Sequence, residues 1–212
     1  MIELNKIYHA DCLDLMKDIP DKYFELALVD PPYGIERSGQ KLSICKNPKH
    51  NRKEHIEKGW DNEIPTSEYF AELFRVSKNQ IIWGGNYFTE FLFPVRAWIF
   101  WYKGQNDLTM SDGEMAWTSF NKATRQIEIN RFELLKDVTF HPTQKPIKLY
   151  KWLLKNYANL GDKILDTHSG SGTTAMACID MGFDYVCIEK DKDYYEASVK
   201  RINKELIKLK LF

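Results

Sequence analysis

The chain has 212 residues, of which 43% are hydrophobic and 28% charged, and its formal net charge is zero. That length suits one domain with its own core. No run approaches the ~18 apolar residues of a membrane span, and Met1 to Asp11 carry no apolar signal region, so a cytoplasmic protein without membrane association is expected.

The first strong strand signal is Phe24 to Val29, short and apolar, followed at once by Asp30-Pro31-Pro32-Tyr33. Such a run suits a buried parallel strand. Residues 34–65 are polar and irregular, and read as a flexible loop. Thr66 or Ser67 can cap a helix through Tyr69, Leu73 and Val76. Gln80 to Trp83 reads as a strand ended by Gly84-Gly85, and Val95 to Trp101 as another. Glu114 to Thr118 is a third, after the turn at Ser111-Asp112-Gly113. The last third alternates: a helix from Ile147 to Asn159, a strand at Lys163 to Leu165 running into Asp166, a glycine loop, a helix from Thr173 to Met181, a strand at Tyr185 to Ile188 ending in Glu189, and an amphipathic helix from Asp191 to Leu209. Strands alternating with helices predict an α/β fold with a doubly wound, mostly parallel sheet in a single domain over 1–212.

Cys12, Cys45, Cys178 and Cys187 form no C-x-x-C pair, so four reduced thiols are expected. His50 and His55 have no such pair nearby, and no metal site is expected. Charge is unevenly spread. Residues 34–60 hold seven Lys/Arg against three acids, and residues 121–151 again seven against three. Two basic segments on an acidic remainder suit contact with a phosphate backbone; solvated lysine-rich loops would look the same.

Asp166 to Thr174 lies between a strand and a helix, where glycines let a ligand approach the backbone. Glu189 ends the next strand, 17 residues after Gly172, where an acid can accept both hydroxyls of a ribose. A tight turn without a ligand would also use glycines. The loop lacks the G-K-[ST] of a phosphate site. A cofactor with adenosine and no phosphate fits better, and S-adenosylmethionine is such a molecule.

In Asp30-Pro31-Pro32-Tyr33, two residues precede prolines and are driven to extended geometry. The Asp30 carboxylate and the Pro31 carbonyl become fixed acceptors, with the aromatic face of Tyr33 beside them. Two such acceptors can hold both hydrogens of an exocyclic base amine and localise its lone pair. Tyr33 could stack on a base flipped out of double-stranded DNA. Ordinary turn residues could give the same string, but average residue usage produces it by chance in about one in a thousand chains of this length.

With His9-Ala10-Asp11-Cys12, His141-Pro142-Thr143-Gln144-Lys145-Pro146 and Ile188-Glu189-Lys190, these motifs resemble the amino-methyltransferases of DNA. Their order, catalytic motif first and cofactor loop last, resembles the circularly permuted beta group. Ile82 to Phe88, Trp101 to Gln105 and Ala116 to Phe120 look like small phage-type members. The resemblance implies a Rossmann-like, S-adenosylmethionine-dependent methyltransferase fold and methylation of DNA at adenine N6, as in restriction-modification. It further implies that Asp30, Pro31, Pro32 and Tyr33 hold the target base. Asp166, Gly170, Gly172 and Thr173 would take the methionine part and backbone of the cofactor, Glu189 its ribose, and Asp11 and Cys12 its adenine. His141, Thr143 and Lys145 would lie near its carboxylate, with Gln144, Ser169, Ser171 and Asp30 completing the set. The family loop usually reads Asp-Pro-Phe; here Asp166-Thr167-His168 stands instead, so His168 is either a contact or a spacer. Residues 34–65 would face DNA, and 104–140 would be a reduced target-recognition region. A homodimer stays open. Trp83, Trp98, Trp101 and Trp117 are expected in the core more than on a base. Cytosine N4 is the alternative target, and relatives with Asn in place of Asp30 modify glutamine or RNA. A non-catalytic DNA-binding module on the same fold is a third reading.

Overall fold

The computed structural model describes residues 2–39, 54–104, 111–130, 133 and 139–209. Eight strands form one sheet: β1 (Lys6–His9), β2 (Phe24–Val29), β3 (Ser77–Trp83), β4 (Trp98–Tyr102), β5 (Gly113–Thr118), β6 (Arg125–Glu128), β7 (Lys163–Asp166) and β8 (Asp184–Glu189). Their order is β1-β8-β7-β2-β3-β5-β4-β6. Among these, β5 alone runs antiparallel to its neighbours. The expected α/β, mostly parallel sheet is present.

Alternation across the strands sorts the core into two layers. Leu26, Leu28, Ile81, Trp83, Ile164, Tyr185 and Cys187 face one side; Ala27, Val29, Ile82, Leu165, Val186 and Ile188 face the other. Helices α1 (Cys12–Lys17) and α2 (Ser67–Val76) cover the second side. Helices α3 (Ile147–Tyr157), α4 (Thr173–Met181) and α5 (Lys192–Leu209) cover the first. In α2, Tyr69, Phe70, Leu73 and Val76 are buried at helical spacing. Helix α4 is buried nearly all round its first turns, which suits its run of small or apolar residues from Thr173 to Cys178.

Strands β2 and β7 are parallel neighbours, with Leu26 opposite Ile164 and Ala27 opposite Leu165. From β2 the chain goes through α2 to β3 on one side; from β7 it goes through α4 to β8 on the other. This is a switch point, where a crevice opens beyond the strand ends. It places Asp30 and Asp166 side by side.

Several elements differ from the sequence expectations. Strand β3 begins at Ser77, three residues early, because the polar Ser77-Lys78-Asn79 still pairs with β2. The strand expected from Val95 starts at Trp98. Strands β1 and β6 and helix α1 carried no usable signal: the strands are four-residue edges and the helix has six residues. Cys12, Cys178 and Cys187 are free thiols; Cys45 and His50 lie outside the described residues, as do 40–53 of the expected loop and 105–110, 131–132 and 134–138 of the expected recognition region. Among the described residues no helix is long and apolar enough to cross a membrane, and no cluster of metal-ligating side chains occurs.

Candidate active site

Asp30 follows β2 directly, and its two carboxylate oxygens are both engaged. The Tyr33 hydroxyl donates to Oδ1 at 2.6 Å. The Lys145 ammonium donates to Oδ2 at 2.5 Å. Burial raises the Asp30 carboxyl above its ordinary value, with Lys145 acting against that rise. The Tyr33 hydroxyl is pushed well up by burial and by Asp30, so it stays protonated as a donor.

The stretch after the motif is wrapped around one carboxylate. Asp61, 2% exposed, accepts the backbone N–H of Tyr33 at 2.6 Å, Gly34 at 3.1 Å and Arg37 at 2.8 Å. These bonds fix the exit of the Asp30-Pro31-Pro32-Tyr33 segment. The Tyr33 ring stacks on Tyr87 with centroids 5.0 Å apart and planes 14° from parallel, so one ring face expected for a base is already covered. Gly84, at φ +69°, lies so close to that ring that a Cβ would overlap it. Only glycine suits both the left-handed backbone and the contact.

The glycine loop is tied to the end of β8. Glu189 accepts the N–H of Gly170 at 2.7 Å through Oε2, and that of Asp191 at 2.8 Å through Oε1. Burial raises its carboxyl and these two N–H donors oppose the rise. Asp166 accepts the Thr174 hydroxyl and, at 3.1 Å, the N–H of His168. Burial outweighs both and pushes Asp166 up to about 7. His168 meets Tyr69 edge-on at 5.2 Å and is pushed down to about 4 by burial, so it is a neutral ring at pH 7. His141 is likewise neutral, held down to about 3 by burial, and packs on Tyr194 at 4.3 Å and Trp60 at 5.2 Å.

The ends of β2, β7 and β8 border one cleft of about 640 Å³. Asp11, Cys12, Asp30, Pro32, His141, Thr143, Gln144, Lys145, Asp166, His168, Ser169, Gly170, Ser171, Thr173 and Glu189 line it together. Three candidates do not. Pro31 is buried, Tyr33 reaches the site through Asp30, and Gly172 faces Ser198 and Ile202 of α5. A Cβ on Gly172 would meet Ser198 at 3.2 Å, so this glycine serves helix packing. Lys145 lies on Asp30 and, at 3.1 Å, on Glu114, rather than standing free for a ligand carboxylate. Asp11 caps α1 through the Leu13 N–H at 2.9 Å and pairs with Lys190 at 2.9 Å. Cys12 is pushed up to about 12 by burial, so its thiol is inert.

The sequence reading missed residues that reach the cleft from the 54–65 segment and α5. Lys58 pairs with Asp191 at 2.7 Å and Asp193 at 2.6 Å and lies 4.6 Å from the Tyr194 ring centre. Lys58 and Lys145 thus belong to the cleft, not to an outward basic surface. Nothing in the polar run 54–65 marks Lys58, Trp60 or Asp61 for these roles. Glu114 carried one signal, a carboxylate at the head of an apolar strand. Trp83, Trp101 and Trp117 are core residues, as expected, and Trp98 is half-buried.

A family model described as DNA methylase matches residues 82–200. The chain is 24% identical over 243 residues to the Type II methyltransferase M2.MboI of Moraxella bovis, covering 92% of this chain and 86% of that protein. Its fold is similar to that of M1.HpyAVI in complex with SAM, at 22% identity and TM-score 0.63, covering 92% and 98% of the two chains. It is also similar to the cytosine-N4-specific PvuII DNA methyltransferase, at 15% identity and TM-score 0.61, covering 94% and 86% of the two chains.

Proposed function

Because this chain belongs to the DNA methylase family, the amino-methyltransferases of DNA, we propose that it methylates the exocyclic N6 amine of an adenine flipped out of duplex DNA, using S-adenosylmethionine. The carrying observation is that Asp30 and Glu189, from opposite sides of the switch point, line one cleft. The residues present fit that cofactor. The cleft has the volume of a small-ligand site. Ser169 Oγ is buried in it without a hydrogen-bond partner. The acids Asp11, Asp166 and Glu189 suit a ligand carrying positive charge and hydroxyls.

When bound, S-adenosylmethionine supplies a methyl group activated by its positively charged sulfur. Glu189 takes the ribose hydroxyls, Asp11 flanks the adenine, and Asp166 with the Gly170 backbone holds the methionine part. Asp30 accepts a hydrogen bond from the target amine and receives the proton that the nitrogen sheds on gaining the methyl group. Tyr33 orients that carboxylate, and Tyr87 holds the Tyr33 ring. The protein's work is alignment of the amine and the cofactor within the cleft. Basic residues of 34–60 and 121–151 other than Lys58 and Lys145 are assigned to the DNA backbone.

Cofactor affinity should depend on pH through Asp166. The group is neutral well below pH 7 and charged above it, and its charged form suits the methionine ammonium. Binding should tighten about fivefold between pH 6 and pH 7. Calorimetric titration with S-adenosylmethionine measures this. Asp166→Asn should flatten that rise. An equal slope in the variant would remove Asp166 from the role, and absence of cofactor binding in the wild type would favour the non-catalytic reading.

Asp30 favours adenine over cytosine, since cytosine-N4 relatives often have Ser at this position. The likeness to a cytosine-N4-specific fold keeps N4 methylation of cytosine as the second reading.

A further inference from the structure

Lys145 has a side chain only 3% exposed. A buried ammonium is costly unless anions surround it. Two do: Asp30 Oδ2 at 2.5 Å and Glu114 Oε2 at 3.1 Å. The rings of Trp83 and Tyr33 flank it, with centroids 5.2 Å and 5.7 Å away. Glu114 has a second partner, Lys103, at 2.6 Å from Oε1. The result is an alternating row, Lys103, Glu114, Lys145, Asp30, whose charges cancel. Burial alone would raise the Glu114 carboxyl, but Lys145 and Lys103 outweigh it and bring it down to about 2, so it is ionised.

This row poses a problem for the reaction. Each Asp30 oxygen already accepts one strong donor, Tyr33 on Oδ1 and the Lys145 ammonium on Oδ2, so the target amine must compete with them for the carboxylate's charge. The amine is neutral and a weaker donor than the ammonium. Lys145 can yield only if another anion takes it up without returning it to water. Glu114 already touches it.

We propose that Lys145 occupies the amine's acceptor on Asp30 when no base is bound, and that Glu114 is the positioning residue that takes Lys145 over when the amine arrives. The inference rests on the function proposed above. Glu114 touches neither cofactor nor base in this scheme. Its charge lets Asp30 exchange an ammonium for an amine while the buried row stays neutral.

The test is steady-state methylation by E114Q and E114D, alongside cofactor affinity and thermal midpoint. E114Q keeps the size and removes the charge. It should lower kcat on the order of thirtyfold, as misplacement of a reacting group does, with cofactor affinity unchanged at a temperature well below the thermal midpoint, which itself falls because Lys145 and Lys103 lose a buried counter-charge. E114D keeps the charge and should retain kcat within about fivefold. A kcat for E114Q equal to wild type, or an equal loss in E114D and E114Q, overturns the role. A wild type that transfers no methyl group overturns both this inference and the proposed function; a wild type that does, beside a fully active E114Q, overturns the role of Glu114 alone.

Discussion

Asp30→Ala should reduce methyl transfer by about a thousandfold or more, while S-adenosylmethionine affinity stays within about threefold of wild type. The expectation follows from the geometry around that carboxylate. Asp30 is the acceptor that the Tyr33 hydroxyl orients and that Lys145 guards. Without it the amine keeps its delocalised lone pair and nothing fixes its direction. The variant should still fold, with a lowered thermal midpoint, because Lys145 loses one of its two buried anions and keeps Glu114 at 3.1 Å. The Glu189 end of the cleft is untouched, so the cofactor should still bind. Single-turnover rates and calorimetry separate the two effects. A variant methylating DNA near the wild-type rate would mean that the amine is held elsewhere.

The second large effect belongs to Glu189. Its carboxylate does two things at once: it fixes the glycine loop through the Gly170 N–H and the α5 entry through the Asp191 N–H, and it faces the cleft. Hydrogen bonds to a charged group contribute about 1.5–3 kcal/mol each. Losing the ribose contacts and loosening the loop should therefore weaken cofactor binding about a hundredfold in Glu189→Ala. Glu189→Gln keeps one acceptor and the shape, and should lose only about tenfold. Titration of both variants with S-adenosylmethionine measures this. Unchanged affinity in Glu189→Ala would leave Glu189 as a loop anchor alone.

The parts legible in the sequence are those where local chemistry and global placement coincide. Phe24 to Val29 is apolar because β2 is buried on both faces, and Asp30-Pro31-Pro32-Tyr33 must follow it because the switch point lies there. Gly170 and Glu189 were readable because a loop between a strand and a helix, and an acid at the next strand end, sit at predictable places on such a sheet. What stayed hidden depends on contacts distant in sequence. Asp61 reaches back 28 residues to the Tyr33 N–H, and Lys145 reaches 115 residues to Asp30. No spacing rule foretells either. Lys145 was legible as part of a motif but not as the partner of Asp30, because its second anion, Glu114, sits on β5, separated from Asp30 by β3 in the sheet. Gly172 shows the opposite case: a glycine in a ligand-binding loop whose own neighbour is a packed helix.

The identity of the modified base separates methylation of adenine from methylation of cytosine and from no methyl transfer. Duplex DNA incubated with methyl-labelled S-adenosylmethionine and this protein, then digested to nucleosides and separated, should carry its label in N6-methyldeoxyadenosine. Label in N4-methyldeoxycytidine would contradict the assignment to adenine, and DNA without label would contradict methyl transfer itself.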